Sequence, residues 1–156
     1  MNDSQKKVLN SLEGLCAKRE YCTSDILRKA VDRCEGDTEA AAEIVASLKA
    51  DRFVDDVRYA SAFAREKASL TGWGPVKIRF ALRAKRISDA DIDAALAEID
   101  SSSASDRMER LLRAKWKTLQ GDEHARLKLL KFALTRGYEY SAVESAVDRI
   151  TRDGQS

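Results

Sequence analysis

The sequence predicts an all-α fold of three tandem three-helix repeats, stacked one on the next. Three observations lead there. Helix breakers are few: the 156 residues hold one Pro and seven Gly, and Ala, Leu, Arg, Lys, Glu and Asp dominate. Such side chains lose little freedom in a helix. Apolar residues recur at three- and four-residue spacing, the helical period, and seldom alternate as in strands. The chain also matches itself: Ile78, Leu82, Lys85, Ile87, Ile92 and Leu96 reappear 51 residues on as Leu129, Ala133, Arg136, Tyr138, Val143 and Val147. A period near 50 residues marks helical units that lean on each other, each being small for a core of its own.

The first unit, residues 1–54, fits the repeat least closely. Asp25-Ile26 aligns with Lys77-Ile78 at an offset of 52, and Ile44 and Leu48 align with Ile92 and Leu96 at 48. Its first helix carries Val8, Leu9, Leu12 and Leu15 or Cys16 behind a cap at Asp3 or Ser4. Thr23-Ser24-Asp25 reads as the capping cluster of a second helix, because short polar side chains satisfy the free amides of a first turn. Ile26, Leu27, Ala30, Val31 and Cys34 are its stripe, Gly36-Asp37 breaks it, and Thr38 caps a third helix bearing Ala41, Ala42, Ile44, Val45 and Leu48.

In the second unit, residues 55–100, Asp55 or Asp56 caps a helix with Tyr59, Ala60, Phe63, Ala64 and Lys67 on one face. Gly72-Trp73-Gly74-Pro75 ends it and starts the next, Pro being well placed where the amide has no intrahelical partner. Val76, Ile78, Arg79, Ala81, Leu82 and Lys85 follow, then Ser88 caps a helix with Ile92, Ala95, Leu96 and Ile99. The third unit, residues 101–156, begins after a polar break at Ser101-Ser102-Ser103. Ser105 or Asp106 opens a helix with Met108, Leu111, Leu112, Lys115, Trp116 and Leu119. Gly121-Asp122 turns the chain into Leu127, Leu129, Leu130, Ala133 and Leu134. Gly137 stops that helix as a left-handed cap, and Val143, Ala146, Val147 and Ile150 make the last.

Catalysis would leave a constellation, and none is present. The single His124 sits among charged residues on a predicted helix surface, and no HExxH, GxxxxGK[ST] or GxSxG occurs. Gly72-x-Gly74 has no strand before it and reads as a turn. Asp55-Asp56 stands where a helix start needs an acceptor and reads as a cap rather than a metal pair. Cys16, Cys22 and Cys34 lack CxxC spacing and read as reduced, partly buried thiols. No cofactor or metal is expected. No apolar run approaches the roughly 20 residues of a membrane span, and the N-terminus lacks an apolar signal core, so the expected location is the cytoplasm.

The net charge is only +2, but its distribution is uneven. Residues 65–86 carry seven basic side chains against Glu66 alone, and residues 107–136 carry nine against Glu109, Asp122 and Glu123. Arg79, Arg83 and Arg86 share one face by their spacing, with Lys77 and Lys85 beside them, and Arg110, Arg113 and Lys117 line a face of the following unit. Lys128, Lys131 and Arg136 complete the second cluster. A solvated helix surface is one reading of such runs. A surface for a polyanion or an acidic partner is the other. Trp73 and Trp116 have two readings as well, stacking on bases or packing inside.

The segment Asp55-Asp56-x-Arg58-Tyr59-Ala60-x-x-Phe63, followed by Gly72-Trp73-Gly74-Pro75-x-Lys77-Ile78-Arg79-x-x-Leu82-x-x-Lys85-x-Ile87, resembles the signature of the RecX family of bacterial recombination regulators. Leu134-x-Arg136-Gly137-Tyr138 is similar to that family's Arg-Gly-Phe ending, and the first third matches weakly. Arg86 stands where the family commonly has Gly, which predicts a less sharply turned helix end there. Tyr21-Cys22 replaces a common Arg-Ser step.

The resemblance implies an elongated, curved helical stack with no catalytic residues, acting as a modulator of RecA. Such proteins lodge in the groove of the RecA–DNA filament and restrain ATP hydrolysis, strand exchange and filament growth. For such a role the basic clusters offer the expected contact surface, Lys77, Arg79, Arg83, Lys85, Arg86, Arg110, Arg113, Lys117, Lys128, Lys131 and Arg136, on an expected monomer. Asp55, Asp56, Tyr59, Phe63, Gly74, Pro75, Ile78 and Leu82 match the family as caps, turn and core. Two other readings stay open: a helical module that binds single- or double-stranded DNA without RecA, and a helical adaptor for another protein.

Overall fold

A computed structural model describes residues 1–153, which form nine α-helices and no strand. They are α1 (Asp3–Lys18), α2 (Thr23–Arg33), α3 (Thr38–Ala50), α4 (Asp56–Glu66), α5 (Pro75–Ala84), α6 (Asp89–Ala97), α7 (Ser101–Thr118), α8 (Ala125–Thr135) and α9 (Tyr140–Asp153). Each successive triplet closes on its own core. Leu12, Ile26, Ile44 and Leu48 centre the first, Ile78, Leu82 and Ile92 the second, and Leu112, Leu129, Val143, Val147 and Ile150 the third. The accessible surface is 9528 Å², against about 7,900 Å² for a compact protein of this mass. The excess is what an extended stack of small units leaves uncovered.

Most helix starts follow from an acceptor side chain at the N-cap, in two cases one residue earlier than the sequence suggested. Asn2, not Asp3 or Ser4, caps α1, in a reciprocal box with Gln5. Asp37, not Thr38, caps α3. Asp55 caps α4 and Ser88 caps α6. Ser101-Ser102-Ser103 is not a break: it forms the first turn of α7, held by Asp100. His124 lies at the N-cap position of α8, outside the helix body, and caps nothing with its side chain.

The second helices of the triplets are different, because the adjacent triplet supplies their ends. Cys22 precedes α2 without capping it, and Gly74 precedes α5 with no side chain to cap with. At the first junction Thr23 N–H donates to Asp56 Oδ1 (2.7 Å), Ser24 Oγ donates to the Lys85 carbonyl at the end of α5 (2.8 Å), and Lys85 Nζ reaches Asp25 Oδ2 (2.7 Å). So Thr23-Ser24-Asp25 does not cap its own helix; Ser24 and Asp25 spend their side chains on the next triplet. Cys22, 0% exposed, packs into the second core. At the second junction Gly74 N–H donates to the Arg136 carbonyl (2.8 Å) and Val76 N–H to the Gly137 carbonyl (2.9 Å). The amide-rich start of one helix thus meets the carbonyl-rich end of the next, satisfying groups that every helix leaves unpaired and opposing dipole ends of unlike sign.

Both glycines of the second junction are required by space. A Cβ on Gly74 would overlap the Gly137 carbonyl, and one on Gly137 would overlap Lys77, where Gly137 also has φ +92°. Just upstream, α4 runs into a π-helical turn at Lys67–Thr71 that Gly72 closes at φ +73°. Tyr138 Oη donates to the Gly72 carbonyl (3.0 Å) and Arg136 Nη1 to that of Thr71 (3.1 Å). π-turns concentrate at functional sites, and this one is pinned from the third triplet.

Two expectations follow. Gly137→Ala should cost about 2–4 kcal/mol through strain and overlap, read as a lower urea midpoint. Gly121→Ala, at φ +82° but in open space, should cost only about 1–2 kcal/mol. The second concerns acid. Burial acts to raise the Asp25 carboxyl, yet the hydrogen bond and charge of Lys85, with Cys22 and Arg28, hold it below its ordinary value. A lowered folded-state value means stability that is complete above the unfolded carboxylate range and is lost as pH falls through the folded one. Asp25→Asn should therefore shrink the loss of urea stability between about pH 5 and pH 3; a loss equal to that of the unsubstituted chain would exclude the linkage.

Candidate functional site

The basic cluster on α5 is largely neutralised. Arg79 Nη2 lies 2.7 Å from Asp93 and Arg83 Nε 2.9 Å from Asp89, both acids on α6. The Arg83 hydrogen bond and charge hold the Asp89 carboxyl below its usual value. Lys85 is spent on Asp25 in the junction. Arg86 does not share the Arg79–Arg83 face, because it lies beyond the helix in the left-handed region, φ +61°. The sharp turn expected to soften without Gly is retained, at the strain a non-glycine residue carries there. Lys77 sits 4.6 Å from the Trp73 ring centre, and Lys67 also lies over that ring, at 4.9 Å. Trp73 meets Phe63 edge-on and packs with the second core, so its faces hold lysines rather than stacked bases.

The second cluster divides. Arg113 pairs with Glu109 and Asp153, and Lys128 with Asp122. Lys117 is exposed on α7. Arg126 pairs with Asp148. The others line two hollows that share Arg136 and together form a groove beside the π-turn, α7 and α8. Its upper part is lined by Arg107, Arg110 and Arg136 against Ser69–Gly72. Its lower part is lined by Lys115, Lys128, Lys131 and Arg136 around Phe132. Arg136 belongs to both parts, and no carboxylate lines either. Among the described residues, Arg107, Arg110, Lys115, Lys131 and Arg136 have no acid within ion-pair distance.

Local chemistry orders this groove. Phe132 offers its ring to Lys115 (5.5 Å) and to Arg136 (5.1 Å), cation–π contacts that fix long side chains without cancelling their charge. Burial pushes the Tyr138 hydroxyl up, countered by the charges of Arg107 and Arg136 nearby. Arg107 and Lys115 were not singled out from sequence. Arg107 fell outside the predicted face, although it stands three residues before Arg110, and Lys115 fell on a predicted apolar stripe. Trp116, given both readings, packs against the third core. No metal-ligating cluster occurs among the described residues. The groove can attract and orient phosphates or carboxylates.

Comparison with known proteins places this architecture. Residues 55–96 match the family model for the RecX second three-helix domain. The chain is 30% identical over 152 residues to the regulatory protein RecX of Prosthecochloris aestuarii, covering 96% of this chain and 98% of that one. It is 28% identical to that of Chlorobium phaeobacteroides, over 94% and 95% of the two chains. The crystal structure of a regulatory protein RecX superposes with a TM-score of 0.83 at 24% identity, over 94% of this chain and 72% of that one. RecX from Lactobacillus salivarius gives 0.81 at 17% identity, over 97% and 99%. The last two establish the shared fold, and the long match to the Prosthecochloris protein establishes descent: the chain belongs to the RecX family of regulatory proteins.

Proposed function

We propose that this chain regulates the RecA recombinase by binding the RecA–DNA filament, restraining its ATPase, strand exchange and growth. Membership of the RecX family supports a regulatory role. The observation that carries the mode of action is the groove of unpaired cations where the second and third triplets meet. Cations without internal partners gain most from an external polyanion, since no ion pair has to be broken first. A nucleoprotein filament presents phosphate and acidic protein side by side. On this reading the chain works by binding alone, as a monomer in the cytoplasm. None of its described helices is long and apolar enough to cross a membrane.

The same groove favours a second reading, direct DNA binding without RecA, because phosphate by itself satisfies it. Two measurements separate them. RecA ATPase on single-stranded DNA should fall on adding the chain at amounts comparable to RecA, and an unchanged rate would sink the first reading. Binding should also weaken with salt. Arg107→Ala with Arg110→Ala should lower filament affinity and flatten the slope of log K against log salt by about 1–2. Arg79→Ala with Arg83→Ala should change it less, since those guanidiniums already face Asp93 and Asp89. Equal losses from the two pairs would mean that the groove is not the contact.

A further inference from the structure

Leu70, in the π-turn, is the most exposed large apolar side chain among the described residues, at 81%. It stands seven residues after Phe63, a spacing that keeps residues of an α-helix on nearly one face. Phe63 packs against the second core. The π-turn separates the two, because bonds from residue i to i+5 wind more slowly than those of an α-helix. Leu70 therefore leaves the core side and lines the upper hollow of the groove, with Arg110 and Leu111 of α7. The turn is braced there. Trp73 N–H closes it on the Lys67 carbonyl (2.9 Å), while Arg136 and Tyr138 hold the carbonyls of Thr71 and Gly72. Ser69 turns its hydroxyl back to the Arg65 carbonyl (2.6 Å), away from a ligand. A turn of an uncommon kind is thus held in place with one leucine on its outer side.

The surroundings of Leu70 say what covers it. Arg107, Arg110 and Arg136 line the same hollow, and none has an acid within ion-pair distance among the described residues. Glu98 and Asp100 line the adjoining hollow, where they accept from Ser61 and Ser102. Glu66, at the end of α4, lines neither. An apolar anchor for a protein is normally set in a well-packed patch, ringed by contacts that exclude water. Leu70 is instead the one large exposed apolar side chain of its hollow, and cations ring it. That arrangement suits insertion between two bases, the arginines holding the phosphates on either side. We infer that the π-turn carries Leu70 as a wedge, which enters between neighbouring bases of a DNA strand whose phosphates lie on Arg107, Arg110 and Arg136. This rests on the reading of the groove as a polyanion site given above. Unstacking costs least in a strand that is already single, so single-stranded DNA is the expected ligand. The wedge adds a contact that salt does not screen.

The test uses the full chain, without RecA, on two single-stranded oligonucleotides of equal length. One carries 2-aminopurine, whose emission rises when its neighbours unstack. The other is abasic at its central positions and keeps its phosphates. The unsubstituted chain should brighten the probe and bind the base-bearing strand more tightly. Leu70→Ala, with helicity checked by circular dichroism, should remove the brightening and weaken binding to that strand by about tenfold. It should leave affinity for the abasic strand unchanged, and Leu70→Met, still an apolar wedge, should restore both readouts. Arg107→Ala with Arg110→Ala should weaken binding to both strands. Emission and affinity unaltered in Leu70→Ala, or an equal loss on the two strands, would overturn the wedge and leave the groove reading intact. A chain that binds RecA filaments but neither bare strand would overturn it likewise, with filament binding still standing. Full affinity for both strands in the double arginine variant would defeat the groove reading, and the wedge with it.

Discussion

The end-to-end junction of second helices is the constraint on which the rest of the structure depends. Each triplet has a core too small to be secure alone, and the contact that joins them is backbone to backbone. Gly74 and Val76 amides fill the carbonyls of Arg136 and Gly137. Such bonds demand close approach, which is why both positions are glycine-limited. They also fix direction: the second helix of each triplet starts where that of the next one ends. Arg136 acts in three ways at that point. Its carbonyl caps α5, its guanidinium holds the π-turn through Thr71, and the same guanidinium lines both parts of the groove.

Repeat-equivalent residues explain why only one junction is electropositive. Lys85 and Arg136 occupy matching positions 51 residues apart, each at the end of a second helix. Opposite Lys85 stands Asp25, and the pair cancels. The residue that aligns with Asp25 in the second triplet is Lys77, so Arg136 finds no carboxylate there and its charge stays available. One acid-to-base difference at aligned positions leaves the first junction neutral and the second cationic. The half-buried acid–base pair serves register at the first junction; Arg136 at the second has no acid within ion-pair distance.

Much of this was legible in the sequence, and the parts that were not have physical reasons. Core stripes such as Ile78–Leu82 and Val143–Val147 follow from the helical period, and the repeat follows from aligning them. Cap positions slipped by one residue at Asn2 and Asp37, because adjacent polar residues compete equally well on composition. Ser101–Ser103 was misread because serine favours helix ends, whereas Asp100 just before it is the stronger acceptor for that end. The electrostatics were least legible. Window counts over 65–86 and 107–136 registered cations, but most of the acids that neutralise them come from α6, α2 and α9, outside those windows. Pairing of Lys85 with Asp25 across 60 residues is a property of the stack. Conversely Arg107 and Lys115 looked ordinary until α8 and the π-turn were placed against them.

On the filament-binding reading, the cations of the second junction govern the encounter. Unpaired cations act at a distance, fall off with salt, and so set its rate and alignment. A polyanion alone would satisfy them, which is why the filament and bare DNA have to be separated by experiment. The backbone bonds of the junction and the hold of Arg136 on Thr71 fix the π-turn against the end of α8. Arg136 therefore keeps one geometry in both parts of the groove, and an anionic partner would meet charges at a fixed spacing.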